Sequence, residues 1–424
     1  MPGLRITPPK EVFIPVTQHI GTETPIVVKV GDEVKVGQVI ADSDCLFSPP
    51  IHASVSGKVT KIDTYRRSNG VRSAVVRIES DGLMTPFEGL VPPEITDLDS
   101  LVSAIHKSGV VGLGGAGFPT AKKIEGAKGH AVHTVILNGA ECEPHITSDA
   151  RTMLDCADFI YEGVRLLKRV LPEINFIIGI EENKPECIAK MNEVFSGEAF
   201  VSVKVLPSRY PQGAEKVLIK NTTGITVPFG KLPIDKGIIV MNVTTLASIA
   251  KYVKTGMPLV ERCVTIDGSA INEPKNVIVP IGTSIGDAVE AAGGFKEDVG
   301  KVVIGGPMMG FAAHSLWEPV MKTTGSIIAF TRSTSVHLKT TACVHCGKCV
   351  DACPHLLTPT AFTKALDIED ENERMARLEE LGVTICIECG CCSFVCPANR
   401  PLMENNRTAK NALRSYKASK KDLK

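Results

Sequence analysis

The residues CVHCGKCVDACP (343–354) and CIECGCCSFVCP (386–397) are two cysteine runs of one spacing, and they decide the fold of the C-terminal part of the chain. Each run reads Cys-x₂-Cys-x₂-Cys-x₃-Cys-Pro, so three thiols lie close together in sequence and a fourth follows after a longer step. Eight of the fourteen cysteines belong to these runs, and such compact spacing indicates metal ligation rather than disulfide bonds.

The spacing predicts two [4Fe–4S] clusters, with the fourth cysteine of each run ligating the cluster of the other run. By this rule one cluster takes Cys343, Cys346, Cys349 and Cys396, the other takes Cys353, Cys386, Cys389 and Cys392, and Cys391 is left out. Two structural zinc sites are the alternative, but four-ligand zinc sites do not explain two runs that each end in Cys-Pro. Thiolate sets of this kind leave no open position for substrate chemistry, so the clusters are expected to relay single electrons.

Composition limits the possible functions. The chain has 424 residues, enough for about three domains, and its 43% hydrophobic and 22% charged residues are typical of a packed globular protein. The 47 basic and 47 acidic residues cancel, so no global field favours nucleic acid as a partner. No uncharged stretch approaches the ~20 residues that span a bilayer. A cytoplasmic location is therefore expected, with peripheral docking on the cytoplasmic face of an inner-membrane complex left open.

The N-terminal domain, residues 1–95, reads as short β-segments separated by Gly and Pro turns. Its phrases VKVGDEVKVGQVI (28–40) and SVSGKV (54–59) resemble the barrel-sandwich fold of lipoyl and biotinyl carrier domains. A carrier would present a modified lysine between Asp42 and Gly57, but this sequence has no lysine there. The module is therefore predicted to be a scaffold or docking element.

The remaining chain divides into four further segments. Alternating helices and apolar strands predict an α/β domain with a largely parallel sheet at residues 96–250. Shorter elements predict a small α+β module at residues 251–330, followed by the cysteine domain at 335–404 and a basic, helical tail at 405–424. In the α/β domain, strands are predicted at 134–137, 175–180 and 201–206, and helices at 98–108, 149–170 and 184–196.

Two loops of the α/β domain contain candidate ligand-binding residues. The glycine-rich phrase GLGGAGFPT (112–120) lets backbone N–H groups approach a phosphate closely, and the lysines that follow add charge. Its alternative is a simple turn. The phrase NGAECEP (138–144) follows the next strand and brings Glu141 and Glu143 to the end of a sheet where ligands bind. The alternative for these two acids is a solvated loop.

These phrases occur in the order found in one family. Together with QHIG (18–21), ENKPE (182–186), YPQGAEK (210–216) and GGPMMG (305–310), they resemble the C subunit of the Rnf complex, a membrane-associated ferredoxin:NAD oxidoreductase. They resemble more distantly the flavin-binding subunit of respiratory complex I. The likeness extends over nearly the whole chain.

The resemblance implies a non-covalent FMN, with NADH as substrate docking on its exposed face. It assigns these residues to the cofactor site: Gly112, Gly114, Gly115, Gly117, Phe118, Lys123, Asn138, Glu141, Glu143, Tyr210, Gly213, Glu215, Asn242 and Thr245. For Phe118 a place in the hydrophobic core is the alternative. By the same resemblance residues 259–295 are similar to the ubiquitin-like SLBB module.

The expected fold is thus multidomain α+β: a β barrel-sandwich, an α/β FMN-binding domain, an SLBB module and an α-helical domain with two [4Fe–4S] clusters. The implied function is NADH oxidation, or NAD reduction, at FMN, with electrons passing through the clusters to ferredoxin or another redox subunit. A non-catalytic conduit, or a soluble donor to a proline or cobalamin reductase, is the alternative. The basic tail either docks on an acidic ferredoxin or anionic lipid, or is a solvated end.

Overall fold

A computed structural model describes residues 3–296, 298–336 and 338–422, without the side chains of residues 421 and 422. The described chain forms two compact bodies. The first comprises the residues up to Gly306 together with Gly310–Ser335, and the second comprises Pro307–Met309 and the residues from Val336 onward.

The first module of the first body is a β barrel-sandwich. Its main sheet is antiparallel in the order β2-β7-β6-β3, and β4 and β5 form a separate pair. Alternating Val and Ile side chains on these strands point inward, as the twofold period of a strand requires, and form the module's core. Its strands are β2 Glu11–Pro15, β3 Glu33–Val34, β4 Val39–Ala41, β5 Ile51–His52, β6 Gly57–Arg66 and β7 Arg72–Ser80, and they follow a short strand outside the module, β1 Leu4–Arg5.

The second module is an α/β layer around a parallel sheet in the order β10-β9-β8-β11. The central strands are almost continuously apolar because helices cover both faces of the sheet. Its elements are α1 Leu98–Lys107, α2 Thr120–Glu125, β8 Thr134–Gly139, α3 Ser148–Asp155, α4 Ala157–Val170, β9 Asn175–Glu181, α5 Pro185–Val194, β10 Val201–Leu206, α6 Glu215–Thr223, β11 Ile238–Asn242 and α7 Val243–Thr255.

The three strands predicted in this module are confirmed, but the single helix predicted at 149–170 is wrong. It is two helices, α3 and α4, separated by Cys156, whose φ of −124° and ψ of 26° are not helical. The two helices have different neighbours. The first packs on α5, α7 and the strand that begins the third module, whereas the second packs mainly on α7.

The third module contains a mixed six-stranded sheet in the order β1-β13-β12-β16-β14-β15. Its edge strand β1 comes from the N-terminus, where Leu4 pairs in parallel with Val277. The predicted N-terminal domain therefore gives its first residues to the third module. The elements are β12 Glu261–Asp267, β13 Lys275–Pro280, α8 Ile285–Glu290, β14 Val299–Ile304, β15 Phe311–Ala312 and β16 Ser326–Thr331.

The second body is helical. Leu357, Phe362, Leu378 and Leu413 are among the residues of its apolar core. Two short helices begin inside the cysteine runs, and three longer helices pack around them. The helices are α9 Lys348–Asp351, α10 Pro359–Leu366, α11 Glu371–Glu380, α12 Cys391–Phe394 and α13 Leu402–Asp422.

The predicted basic tail is not a separate segment. Helix α13 begins before the predicted boundary at 404/405 and continues to Asp422, packing on α10 and α11. Its Ala409 and Leu413 are buried four residues apart on one helix face. Lys410 donates to Glu388 at 2.9 Å, so part of the helix's positive charge is paired inside the body.

Candidate functional site

Two asparagines lie at the carboxyl ends of adjacent strands of the parallel sheet. Asn138 of β8 and Asn242 of β11 are direct partners in the strand register. The Asn138 side chain donates to the Gly213 carbonyl at 2.9 Å, while the Asn242 side chain accepts from the Thr245 N–H at 3.1 Å and begins α7. Ligands of open α/β sheets bind at this edge, so the two predicted residues lie where a ligand is expected.

The glycine-rich loop folds back on itself beside this edge. The Gly112 N–H donates to the Phe118 carbonyl at 2.8 Å, and the Leu113 N–H donates to the Thr245 hydroxyl at 2.9 Å. The three residues that follow, 114–116, are exposed, and their N–H groups have no acceptor among the described residues. Successive free N–H groups form an anion-binding concavity.

Two further observations fit a phosphate-bearing cofactor at this loop. A Cβ at Gly114 would lie 3.3 Å from the Asn242 side chain, so a larger residue would fill the space between the loop and the sheet edge. The hydroxyl of Thr120, at the start of α2, is buried and has no partner in the described part of the chain. The residues present therefore fit FMN.

Lys123 and Glu215 lie at the same edge and bind each other. The Lys123 ammonium donates to the Glu215 carboxylate at 3.1 Å and to the Val240 carbonyl at 2.9 Å. It thereby joins α2, α6 and β11. Both predicted residues are brought into the site, where their charges are largely used to hold its elements together.

The loop after β8 and the loop before α6 are in close contact. A Cβ at Gly213 would lie 2.4 Å from the Ala140 carbonyl oxygen, so only glycine allows this approach. Glu143 is half-buried, and a Cβ at Gly306 would lie 2.2 Å from its carboxyl carbon. Tyr210 is half-buried at the start of the second loop. These predicted residues are thus brought to one side of the site.

Glu141 is placed differently from the prediction, because its carboxylate is directed into the protein. It accepts from the Asp149 N–H at 2.8 Å and the Ala150 N–H at 3.3 Å, and so caps the N-terminus of α3. Lys184 lies 3.5 Å away. Burial, together with the nearby Asp149 carboxylate, raises the pKa of Glu141 to about 7. This acid stabilises the loop, and its two oxygens are engaged within the protein.

Asp149 and Arg262 form a buried polar network that the sequence analysis missed. The Asp149 carboxylate accepts from Asn242 at 2.7 Å and from Thr244 at 2.6 Å, and burial raises its pKa. Arg262 is fully buried and donates to the Leu113 carbonyl of the glycine loop at 3.3 Å. The sequence gives no signal for this network, because Glu261 and Asp267 of the same strand β12 are charged as well.

Two polar groups at this edge are buried without a partner among the described residues. They are the Glu181 carboxylate oxygen Oε2, at the end of β9, and the Gln212 nitrogen Nε2. Both side chains are at most 3% exposed. Native proteins leave few such atoms unsatisfied, so each is a candidate contact for a ligand. Sequence reasoning did not select either residue.

The second body brings the predicted cysteines together in two cavities. Cys343, Cys346, Cys349 and Cys396 line one, whereas Cys353, Cys386, Cys389 and Cys392 line the other. Each cavity draws its fourth thiol from the other run, which is the partition expected from the spacing. Four converging thiols fit a [4Fe–4S] cubane. Cys391 also borders the second cavity, although the spacing leaves it out.

The two runs share one backbone geometry. His345 and Glu388, each two residues after the first cysteine of its run, have φ values of 54° and 57°. Their N–H groups both donate to that first cysteine's sulfur at 3.4 Å. Hydrogen bonds to cluster sulfurs are among the factors that set a cluster's reduction potential. The runs are therefore a structural repeat as well as a sequence repeat.

Comparison with known proteins agrees with this geometry. Residues 4–83 match the family model of the RnfC barrel sandwich hybrid domain, and residues 105–251 match the Nuo51 FMN-binding domain. Residues 263–312 match the SLBB domain, and residues 338–400 match the 4Fe-4S dicluster domain.

A relative from Clostridium ljungdahlii, the C subunit of a proton-translocating ferredoxin:NAD(+) oxidoreductase complex, is 44% identical over 358 residues, which are 84% of this chain and 78% of that protein. The chain belongs to the RnfC family. The Na(+)-translocating counterpart of Acetobacterium woodii is 40% identical to this RnfC-family chain. The aligned region is 83% of this chain and 80% of that protein. The chain spans only 52% of the C subunit of the ion-translocating oxidoreductase complex of Pectobacterium atrosepticum, at 38% identity.

Solved structures support the fold of this RnfC-family protein. An NAD+-reducing [NiFe]-hydrogenase in the H2-reduced state aligns with a TM-score of 0.53 and 18% identity, covering 75% of this chain and 63% of that one. The domain matches identify FMN and [4Fe–4S] clusters as the cofactors. Within the described residues, no helix combines the length and apolar character needed to cross a membrane.

Proposed function

We propose that this chain oxidises NADH, or reduces NAD+, at FMN and passes single electrons through two [4Fe–4S] clusters to a partner redox protein such as ferredoxin. The observation that carries the proposal is that one chain has both a loop with three free N–H groups at a sheet edge and two cavities that each contain four of the eight predicted cluster cysteines. The names of the relatives include ferredoxin and NAD+. Their similarity over most of the chain supports the same redox partners here.

The cofactors divide the chemistry between them. FMN exchanges a hydride with a nicotinamide and single electrons with iron–sulfur centres. The protein's contribution is to bind and to orient. We propose that the N–H groups of residues 114–116 and the Thr120 hydroxyl bind the FMN phosphate. Asn138 and Asn242 hold the loops of the sheet edge at fixed distances through hydrogen bonds of 2.9 and 3.1 Å.

Charge around the site also favours an anionic cofactor. Lys123 and Arg262 contact the sheet edge and the glycine loop, while the nearby Glu141 and Asp149 carboxyls are held inside by N–H and hydroxyl donors. Burial raises the pKa of both acids, and the Asp149 carboxylate adds to this rise at Glu141. Because both carboxyls are held by donors of the protein, their repulsion of a phosphate at the loop is weakened.

The test is anaerobic reconstitution of the full chain with FMN, iron and sulfide, followed by two assays. Reduction of ferricyanide by NADH measures the flavin site alone, whereas reduction of NAD+ by reduced ferredoxin also requires the clusters. In Cys346→Ser we expect ferricyanide reduction to persist and ferredoxin-dependent NAD+ reduction to fall at least about tenfold, because one thiol of the first cavity is lost. A flavin-loaded wild type that does not oxidise NADH would refute the proposal.

A matched pair of glycine variants tests the location of FMN. Gly114→Ala adds a Cβ 3.3 Å from Asn242, whereas Gly129→Ala adds one that meets nothing within 4 Å. We expect only Gly114→Ala to lower the amount of FMN retained after gel filtration. Equal FMN content in both variants would place the cofactor elsewhere. A protein that binds iron but no FMN would instead be a conduit for electrons from another flavoprotein.

A further inference from the structure

The barrel-sandwich module reaches the glycine loop through the segment where a carrier domain would present its lysine. This segment lies between β4 and β5 and bears Phe47, which is outside the module's apolar core and 39% exposed. The Phe47 ring meets the Phe118 ring edge to face, with centroids 6.1 Å apart and planes at 89°. Phe118 ends the glycine loop, so an exposed aromatic side chain of the first module lies beside that loop.

A second loop of the same module fixes the position of Phe47. The Ile20 N–H donates to the Gly117 carbonyl at 3.0 Å, which joins this loop to the glycine loop. A Cβ at Gly21 would lie only 1.9 Å from the Phe47 carbonyl oxygen, and the φ of Gly21 is +146°. Only glycine permits that approach. The phrase at residues 18–21 thus holds the two loops together.

The groups around Phe47 match one class of ligand. The Lys122 ammonium lies 5.6 Å from the centre of the Phe47 ring, and the Ile20 side chain is 52% exposed. An apolar and aromatic surface next to a cation suits a planar base that carries phosphates. We propose that Phe47 stacks on the adenosine half of NAD(H), so that the barrel-sandwich module forms part of the dinucleotide site. This inference rests on the proposed function and names a substrate contact for it.

Calorimetric titration of the reconstituted holoprotein with ADP-ribose tests the proposal, because this probe has the adenosine and phosphates but no nicotinamide. We expect Phe47→Ala to weaken ADP-ribose binding roughly tenfold, the effect typical of losing one aromatic stacking partner. Phe47→Tyr keeps the ring and should bind within about twofold of wild type. Phe87→Ala is the matched control, because Phe87 is a 37%-exposed phenylalanine of the same module.

Steady-state kinetics with NADH and ferricyanide give a second readout. We expect the KM of Phe47→Ala for NADH to rise roughly tenfold, with kcat and FMN content within about twofold of wild type. Gly21→Ala, which displaces the Phe47 loop, should raise KM in the same direction. The inference is wrong if Phe47→Ala binds ADP-ribose as tightly as Phe87→Ala does. It is also wrong if Phe47→Ala loses FMN to the same extent as it loses affinity for ADP-ribose.

The inference and the proposed function fail in different ways. A wild type that binds ADP-ribose and holds FMN, but does not oxidise NADH, overturns the proposed function. A wild type that oxidises NADH while Phe47→Ala retains normal KM and normal ADP-ribose affinity overturns only the role of Phe47. Wild type that does not bind ADP-ribose at all also refutes the inference.

Discussion

The ammonium group of Lys322 is buried where the first two modules meet, and replacing it with methionine should alter how stability depends on pH. Its side chain is fully enclosed, and Nζ donates to the Pro50 carbonyl at 2.8 Å and the Gly109 carbonyl at 2.7 Å. Burial lowers the pKa of Lys322 from 10.5 to about 7. A neutral amine still has two N–H groups, one for each carbonyl, so the site suits the uncharged form.

The sign of the effect follows from proton linkage. Between pH 7 and 10.5 the unfolded chain binds a proton at this lysine that the native chain lacks, so the free energy of unfolding rises with pH. This gain in the free energy of unfolding is complete above the pKa that Lys322 has in the unfolded chain. It is lost as pH falls through the pKa that Lys322 has in the native chain. Each pH unit within the window changes stability by about 1.4 kcal/mol. From pH 7.5 to 9.5 wild type should therefore gain about 2–3 kcal/mol relative to Lys322→Met.

Loss of the two hydrogen bonds adds a cost that does not depend on pH. Lys322→Met leaves the carbonyls of Pro50 and Gly109 without this donor, which costs on the order of 1–3 kcal/mol for each buried group. At pH 7.5 the variant also avoids the free-energy cost of burying an amine, and this gain opposes the loss of the hydrogen bonds. The variant is therefore only moderately destabilised at that pH. At pH 9.5 this gain has nearly gone, and the variant should be clearly less stable than wild type.

Urea unfolding at the two pH values measures this difference. The chain's single tryptophan, Trp317, lies in the first body and packs on Phe13, so its fluorescence reports on that body. Lys254→Met is the control, because the Lys254 side chain is 56% exposed. Its difference from wild type should be the same at both pH values. A difference between wild type and Lys322→Met that also stays constant within about 0.5 kcal/mol would refute the reasoning.

Two further predictions concern the second body. Cys391→Ala should keep the full iron content of both clusters, whereas Cys392→Ala should lose about half of it, and iron analysis after anaerobic reconstitution distinguishes them; equal losses would contradict the ligand partition. Glu388→Gln should destabilise the second body by about 2 kcal/mol, because it leaves two partly buried cations of α13 without their carboxylate, each within 2.9 Å of it. Thermal loss of the visible iron–sulfur absorption measures this, with Glu379→Gln, which breaks an exposed ion pair of the same helix, as a control expected to cost less than about 1 kcal/mol.

Most of what could be predicted from the sequence rests on the spacing of residues that are close together in the chain. The partition of the eight cysteines follows from x₂ and x₃ steps within each run, and the two cavities have the membership that those steps imply. Asn138 and Asn242 each lie at the carboxyl end of an apolar strand, so their approach follows from a parallel sheet. In both cases the information lies within a few residues of the side chain concerned.

Contacts between distant segments could not be obtained in this way. Glu141 was expected to face a ligand, but its donors come from α3 and its ion-pair partner, Lys184, comes from the loop before α5. Arg262 reaches Leu113 across 149 residues. No periodicity or motif in the sequence predicts contacts between residues so far apart in the chain. The burial of Ala409 and Leu413 is different, because the apolar spacing along α13 was present in the sequence and argues against a solvated tail.

The same long-range contacts argue against a separable N-terminal module. Deletion of residues 1–95 would remove β1 from the sheet of the third module, because Leu4 pairs with Val277. It would also remove Ile20, whose N–H binds the glycine loop, and the Pro50 carbonyl that accepts from Lys322. Such a deletion would therefore uncover apolar surface and leave buried polar groups unpaired in the flavin-binding module. Loss of NADH oxidation in that deletion would not distinguish a docking role from a structural one, whereas single substitutions at the loop contacts can.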